Sequence, residues 1–149
     1  MRCMKVKDAM SRDVRVMRPA ETLYDAARAM EAMDIGALPV ADQDRLIGIV
    51  TDRDLVVRAL ARCKGPTTRI REVMSAEVRY CYEDEDLAHV AANMAQLRVR
   101  RLPVVDRDKH LVGILSLSDI ALVEGRDAAG EAISGVSRPG GPHSQTTRA

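Results

Sequence analysis

The stretch Ile35-Gly36-Ala37-Leu38-Pro39-Val40-Ala41-Asp42, followed by Leu46-Ile47-Gly48-Ile49-Val50-Thr51-Asp52-Arg53-Asp54-Leu55, occurs twice in this chain in altered form. A displacement of 64 residues brings the first part onto Val99-Arg100-Arg101-Leu102-Pro103-Val104-Val105-Asp106. One extra residue in the following turn makes the displacement 65, and the second part meets Leu111-Val112-Gly113-Ile114-Leu115-Ser116-Leu117-Ser118-Asp119-Ile120. Upstream, Met10-Ser11 and Val14-Arg15 fall on Met74-Ser75 and Val78-Arg79. Across 6–42 and 46–55, 16 of 47 positions are identical, where ordinary residue usage gives roughly three by chance. A fixed period of this kind is the mark of a structural repeat.

Each copy reads the same way. A single turn opens it, Val6–Met10 or Ile70–Met74, with apolar residues on one side. An extended stretch follows at Val14–Met17 or Val78–Tyr82. Leu23, Ala26, Ala27, Met30 and Met33 then recur at helical spacing, matched by Leu87, Val90, Ala91, Met94 and Leu97. Thr22 with Asp25 forms a capping-box pattern, and Asp86 is an N-cap candidate. Two strands follow in each copy: Ala37–Ala41 and Leu46–Val50, then Leu102–Val105 and Leu111–Leu115. The second strand of each pair is apolar throughout, the pattern of a strand covered on both faces. A further helix begins near Asp52 and another near Leu117.

The expected class is therefore α+β, a tandem βαββα repeat. Residues 1–65 form the first motif, 66–69 a linker through Gly65-Pro66-Thr67-Thr68, and 70–125 the second motif. Residues 126–149, rich in Gly, Ser, Thr and Pro, form a C-terminal extension with the composition of a mobile tail. A repeat of about 55 residues is marginal alone, so the two copies are expected to fold together.

Composition narrows the function. With 23 basic and 22 acidic residues the net charge is +1, which gives no general pull toward nucleic acid or anionic membrane. There is no Phe, no Trp and three Tyr, so base-stacking platforms are missing. No apolar run reaches the roughly 20 residues of a membrane span, and the first residues lack a signal-peptide core. Cys3, Cys63 and Cys81 are odd in number and widely spaced, which fits a reducing, cytoplasmic compartment.

The ordered set Leu-Pro-Val, Leu-x-Gly-Ile and [Thr/Ser]-x-x-Asp, present twice at one separation, resembles the cystathionine β-synthase (CBS) motif over residues 5–124. The resemblance implies a pseudo-twofold CBS pair, a Bateman module, with clefts between the motifs that bind adenosine compounds: AMP, ADP, ATP, S-adenosylmethionine or NAD. It also implies a non-enzymatic, stand-alone regulatory module that dimerises and answers to a regulated enzyme or transporter. No cofactor is required, and the regulatory ligand is expected to be AMP, ADP or ATP.

Thr51-x-x-Asp54 and Ser116-x-x-Asp119 lie at strand-to-helix junctions and match the capping-box pattern in their own right. A helix start also offers free N–H groups to a phosphate, and a carboxylate there accepts hydrogen bonds from ribose hydroxyls. The family resemblance assigns the ribose to Asp54 and Asp119, and Thr51 and Ser116 to the vicinity of phosphate. It places Val14, Val16, Ile35, Ala37, Pro39 and Pro103 by the adenine slot. Arg53 and Arg101 are phosphate candidates, a task that guanidinium suits. Where the first copy has Asp34, Gly36 and Ala37 the second has Arg98, Arg100 and Arg101, and Leu117-Ser118 replaces Asp52-Arg53. The first site is thus the better equipped. Gly48 and Gly113 are read as packing residues, and Pro39 and Pro103 as strand-edge or strand-start residues.

Two rival readings remain. One is a ligand-free dimeric interaction scaffold. The other is a metal- or redox-binding stress protein built on Cys3, Cys63, Cys81, His89, His110 and His143, none of which shows close-pair metal spacing. No metal is expected, and no nucleophile elbow, phosphate-binding Gly loop or HExxH motif is present.

Overall fold

A computed structural model describes residues 4–124. It contains α1 (Val6–Ala9), α2 (Leu23–Met33), β1 (Ala37–Asp42), β2 (Arg45–Thr51), α3 (Asp52–Asp54), β3 (Cys81–Tyr82), α4 (Leu87–Leu97), β4 (Arg101–Val105), β5 (Leu111–Ser116) and α5 (Leu117–Glu124). Helical winding continues past α3, first as a π-helix over Leu55–Ala59 and then as a 3-10 turn over Leu60–Arg62. Another 3-10 turn spans Ile70–Glu72. The extension expected from 126 onward lies outside the described residues.

The chain forms two compact units, and these do not coincide with the two sequence repeats. Among the described residues, one unit comprises residues 4–14, 79–107 and 112–124; the other comprises Arg15–Val78 and Asp108–Leu111. The turn that opens each repeat packs into the core built mainly by the other repeat. Val6 and Met10 are buried with Leu87, Val90, Met94, Val104, Leu115 and Ile120. Ile70 and Val73 are buried with Met17, Leu23, Met30, Leu38, Val40 and Val50. Main-chain bonds fix the exchange. Ser11 and Ile114 trade N–H···O bonds of 2.9 Å in both directions, as do Ser75 and Ile49.

Those pairs explain the two strand glycines. A Cβ on Gly48 would lie 2.6 Å from the Ser75 carbonyl oxygen, and one on Gly113 would lie 2.8 Å from that of Ser11. The neighbours are backbone atoms held in a ladder, so neither can yield cheaply.

Within the Arg15–Val78 unit, β1 and β2 form an antiparallel hairpin whose two-residue turn, Gln43 and Asp44, has φ of 51° and 67°. Positive φ at both central residues is what the strand twist asks of so short a turn. Residues 38–41 of β1 are buried, while Leu46, Ile47 and Ile49 of β2 stay half-exposed. The apolar run of β2 therefore has one well-covered face and one partly covered face, not the full double cover its sequence suggests. The extended stretch at 14–17 is not a regular strand, and only Met17 pairs, bridging Val40 in parallel. Its counterpart is the two-residue β3, paired in parallel with Val104 and Val105 of β4.

Thr22 closes the expected box on α2. Its N–H donates to Asp25 Oδ2 (3.1 Å), and its hydroxyl oxygen accepts from the Asp25 N–H (3.2 Å). The buried stripe is Leu23, Ala26, Ala29 and Met30. Ala29 takes the inward place expected for Ala27, and Met33 is largely exposed. Asp86 holds the N-cap position of α4 without a side-chain cap; its carboxylate instead meets Lys5 Nζ at 2.7 Å. Pro103 departs from the edge or strand-start expectation, because β4 is the middle strand of the order β3-β4-β5. Proline is tolerated there because β3 is only two residues long and pairs beyond it, at 104 and 105.

Gly48→Ala and Gly113→Ala should each lower unfolding free energy by about 1–3 kcal/mol, the usual cost of overpacking. Urea denaturation checks this, and an unchanged midpoint for both would contradict the crossing geometry.

Candidate functional site

The strand-to-helix junction of the first repeat brings five expected residues onto one backbone framework. Ala37 is register partner to Thr51, and Pro39 to Ile49. The Asp52 N–H donates to the Gly36 carbonyl at 2.9 Å, so 35–37 runs beside the start of α3. The capping box is formed as its sequence predicts. Thr51 N–H donates to Asp54 Oδ2 (2.9 Å), and Thr51 Oγ1 accepts from the Asp54 N–H (3.1 Å). Asp54 is mostly covered, with 15% of its side chain exposed. Its Oδ1 has no hydrogen bond among the described residues, and Arg58 Nε lies 3.8 Å away. That is an ionic contact beyond hydrogen-bond length, so Oδ1 retains lone pairs for an incoming donor.

Around this carboxylate, Ile35 is half-buried and Ala37 exposed, an aliphatic surface without aromatic content. Arg53 is exposed, and its guanidinium makes no ion pair among the described residues. A Cβ on Gly36 would lie 2.7 Å from Asp52 Oδ2, the tip of an exposed side chain that can move aside. Pro39 is buried, and its carbonyl accepts the Met17 N–H at 3.0 Å, which sets half-buried Val16 next to the strand. Val14 belongs to the other compact unit.

The second repeat builds the same junction. Ser116 N–H donates to Asp119 Oδ2 (2.9 Å), and Ser116 Oγ accepts from the Asp119 N–H (3.1 Å). Leu117 N–H donates to the Arg100 carbonyl at 3.1 Å, repeating the Asp52–Gly36 bond. Arg100 and Arg101 are exposed and Pro103 is buried. Arg98 closes α4 with left-handed backbone, φ 58°, as Asp34 closes α2 at 52°. Asp119 makes no ion pair among the described residues.

Two junctions with matching hydrogen bonds, each behind a Leu-Pro-Val strand, agree with what the comparisons find. The family described as CBS domain matches residues 6–60 and 70–124. The chain belongs to the CBS domain family. The CBS domain-containing protein YhcV of Bacillus subtilis is 38% identical over 133 residues, 89% of this chain and 94% of its own length. A CBS domain pair of protein MJ0100, solved with 5′-methylthioadenosine and S-adenosylmethionine, is 31% identical, with TM-score 0.66, over 83% of this chain and 98% of that one. CBSX2 in complex with AMP is 25% identical with TM-score 0.70, over 80% of this chain and 95% of that chain. Hypoxic Response Protein I, solved with two coordinated zinc ions, is 36% identical with TM-score 0.71, over 80% and 98%. Structures similar to this one were thus solved with adenosine compounds, and one with two zinc ions.

The groups named for a metal or redox site divide as follows. Cys81 is buried, and burial followed by the nearby Glu85 charge pushes its thiol up to about 12. A thiol so protonated is a poor nucleophile and a poor metal ligand near neutral pH. Cys63 is exposed, in left-handed backbone after the 3-10 turn. His89 pairs with Asn93 at 3.3 Å, His110 is half-buried and its backbone bridges Arg45, and Cys3 and His143 lie outside the described residues. No helix among the described residues is long and apolar enough to cross a membrane.

Arg58 is the site residue that the sequence reading passed over. The signal was present, since Arg58 follows Asp54 by four residues, the spacing at which opposite charges meet on a helix.

A thiol reagent at pH 8 should modify Cys63 readily and leave Cys81 untouched until denaturant is added. Peptide mass spectrometry checks this. Because the folded thiol titrates above the unfolded value of about 8.5, stability is unaffected below that pH by this group. It should fall as pH rises from there toward 12, and Cys81→Ala should remove that fall.

Proposed function

We propose that this protein is a non-enzymatic regulatory module that binds an adenosine-containing ligand, with the Thr51–Asp54 junction as the principal site. The observation that carries the reading is Asp54: a mostly covered carboxylate with one oxygen engaged in the capping box and the other available. A ribose presents two adjacent hydroxyl donors, and such a carboxylate edge suits them. Similar CBS pairs that hold AMP, or S-adenosylmethionine and methylthioadenosine, support the same class of ligand. In this reading Val16, Ile35, Ala37 and Pro39 flank the base, and Thr51 and Arg53 face phosphate. Ser116, Asp119, Arg101 and Pro103, with Val14, make up the second, differently charged site. The cytoplasm is the compartment in which AMP, ADP and ATP are met, and the regulated partner is an enzyme or transporter.

The module acts as a homodimer in this reading. Val56, Val57 and Leu60 are 56%, 43% and 70% exposed on the winding that follows α3. Three apolar side chains so placed form a patch that a second copy covers favourably.

Calorimetric titration with AMP, ADP, ATP and S-adenosylmethionine should give saturable heat with at least one. Asp54→Ala should then weaken that binding at least tenfold, about 1.4 kcal/mol. Silence with all four would favour the ligand-free scaffold, and full-strength binding by folded Asp54→Ala would remove Asp54 from the site. For the dimer, Leu60→Glu should convert the species seen by light scattering to monomer; a monomeric parent protein would refute that part.

A further inference from the structure

The two capping boxes match to within 0.1 Å, yet the carboxylates they hold are not electrostatically alike. Asp54 faces Arg58, and the residue 65 positions later is Val123. Arg58 is itself anchored from the far side. Its Nη1 donates to the carbonyls of Val73 (3.2 Å) and Met74 (3.3 Å), the chain just past the 3-10 turn Ile70–Glu72. One guanidinium therefore spans from the junction carboxylate to the segment that crosses Gly48.

The final torsion of an aspartate is broad, so a cap to one oxygen alone leaves the other free to swing. Here Oδ2 is fixed by the Thr51 N–H, and Oδ1 sits beside a cation that two carbonyls hold in place. At 3.8 Å the cation orients Oδ1 by charge without consuming it as an acceptor. Arg58 needs no contact with ligand for this; its effect passes through Asp54.

We propose that Arg58 is a positioning residue for ribose: it holds the free oxygen of Asp54 where ribose hydroxyls meet it, making the first repeat the ribose-selective half. The inference rests on the adenosine reading above and adds to it a residue, a mechanism and an asymmetry between the repeats.

The test compares AMP with 2′,3′-dideoxy-AMP, which lacks the hydroxyls, on the full chain by calorimetry. Arg58→Gln should weaken AMP about fivefold, the scale of one partly covered ion pair, and leave dideoxy-AMP unchanged. Added to Asp54→Asn, it should cost nothing further, because the two act as one unit. Should Arg58→Gln fail to fold, Arg58→Lys serves, since a single ammonium cannot match the planar fork that reaches carboxylate and carbonyls together. Equal loss of both ligands, or no loss of AMP, overturns the positioning role. Failure of the parent protein to bind AMP, or binding indifferent to Asp54→Asn, overturns the site reading itself and this inference with it. AMP binding that depends on Asp54 and ignores Arg58 removes this inference alone.

Discussion

Two short backbone crossings organise this fold. Ser75 lies over Gly48 and Ser11 over Gly113, each tied by a reciprocal pair of 2.9 Å bonds to the residue after the glycine. A strand glycine weakens a strand and offers no side chain to pack. Here it is the condition for a second main chain to approach closely. The crossing carries Ile70 and Val73 into one core, and Val6 and Met10 into the other. Neither repeat can complete its core from its own residues. Cutting the chain at the linker would remove from each unit two buried side chains and a pair of main-chain bonds.

The same constraint reaches the site. β2 ends at Thr51, and its position is set on one side by β1 and on the other by Ser75 at Ile49. Thr51 then starts α3 with its hydroxyl, and the carboxylate three residues on returns the bond. A helix start needs its free N–H groups answered, so the box would form for structural reasons alone. What distinguishes Asp54 from Asp25, which forms the same box on α2, is the surrounding framework. Asp54 follows Thr51, the register partner of Ala37 at the open end of a hairpin, and Arg58 ties it to the crossing segment. The cap leaves the Asp54 carboxylate already oriented, with Oδ1 outside any hydrogen bond among the described residues.

Much of this is legible in the sequence. Leu23, Met30, Leu87 and Met94 announced their helices by spacing, and the boxes at Thr22, Thr51 and Ser116 by pattern. Gly48 and Gly113 were recognisable as packing glycines because they interrupt apolar strands. What periodicity cannot supply is the identity of a partner. Val6 and Ile70 read as buried in either arrangement, since an apolar residue on one side of a turn looks the same whichever core receives it. Ala27 and Ala29 are equally apolar, so the stripe could be placed only to within a fraction of a turn. Pro103 misled because the proline rule concerns a donor facing a partner strand, and the length of that partner, β3, was not visible in β4's sequence.

The repeats differ at this junction in the side chains laid over a shared backbone contact. The Asp52 carboxylate lies over Gly36, with Oδ2 2.7 Å from where a Cβ would sit, on an exposed side chain that is free to move aside. In the second repeat Leu117 replaces that aspartate, and position 100 is an arginine whose carbonyl keeps the same bond to the helix start. The backbone contact is preserved while the side chains over it change from a carboxylate and a hydrogen atom to an isobutyl group and a guanidinium. An anion approaching the first junction meets Asp52 as well as Arg53. At the second it meets Arg100 and Arg101 with no carboxylate at the Asp52 position. The charge over the shared backbone contact thus differs between the halves: Arg58 stands behind Asp54 in the first, and exposed arginines precede Leu102 in the second.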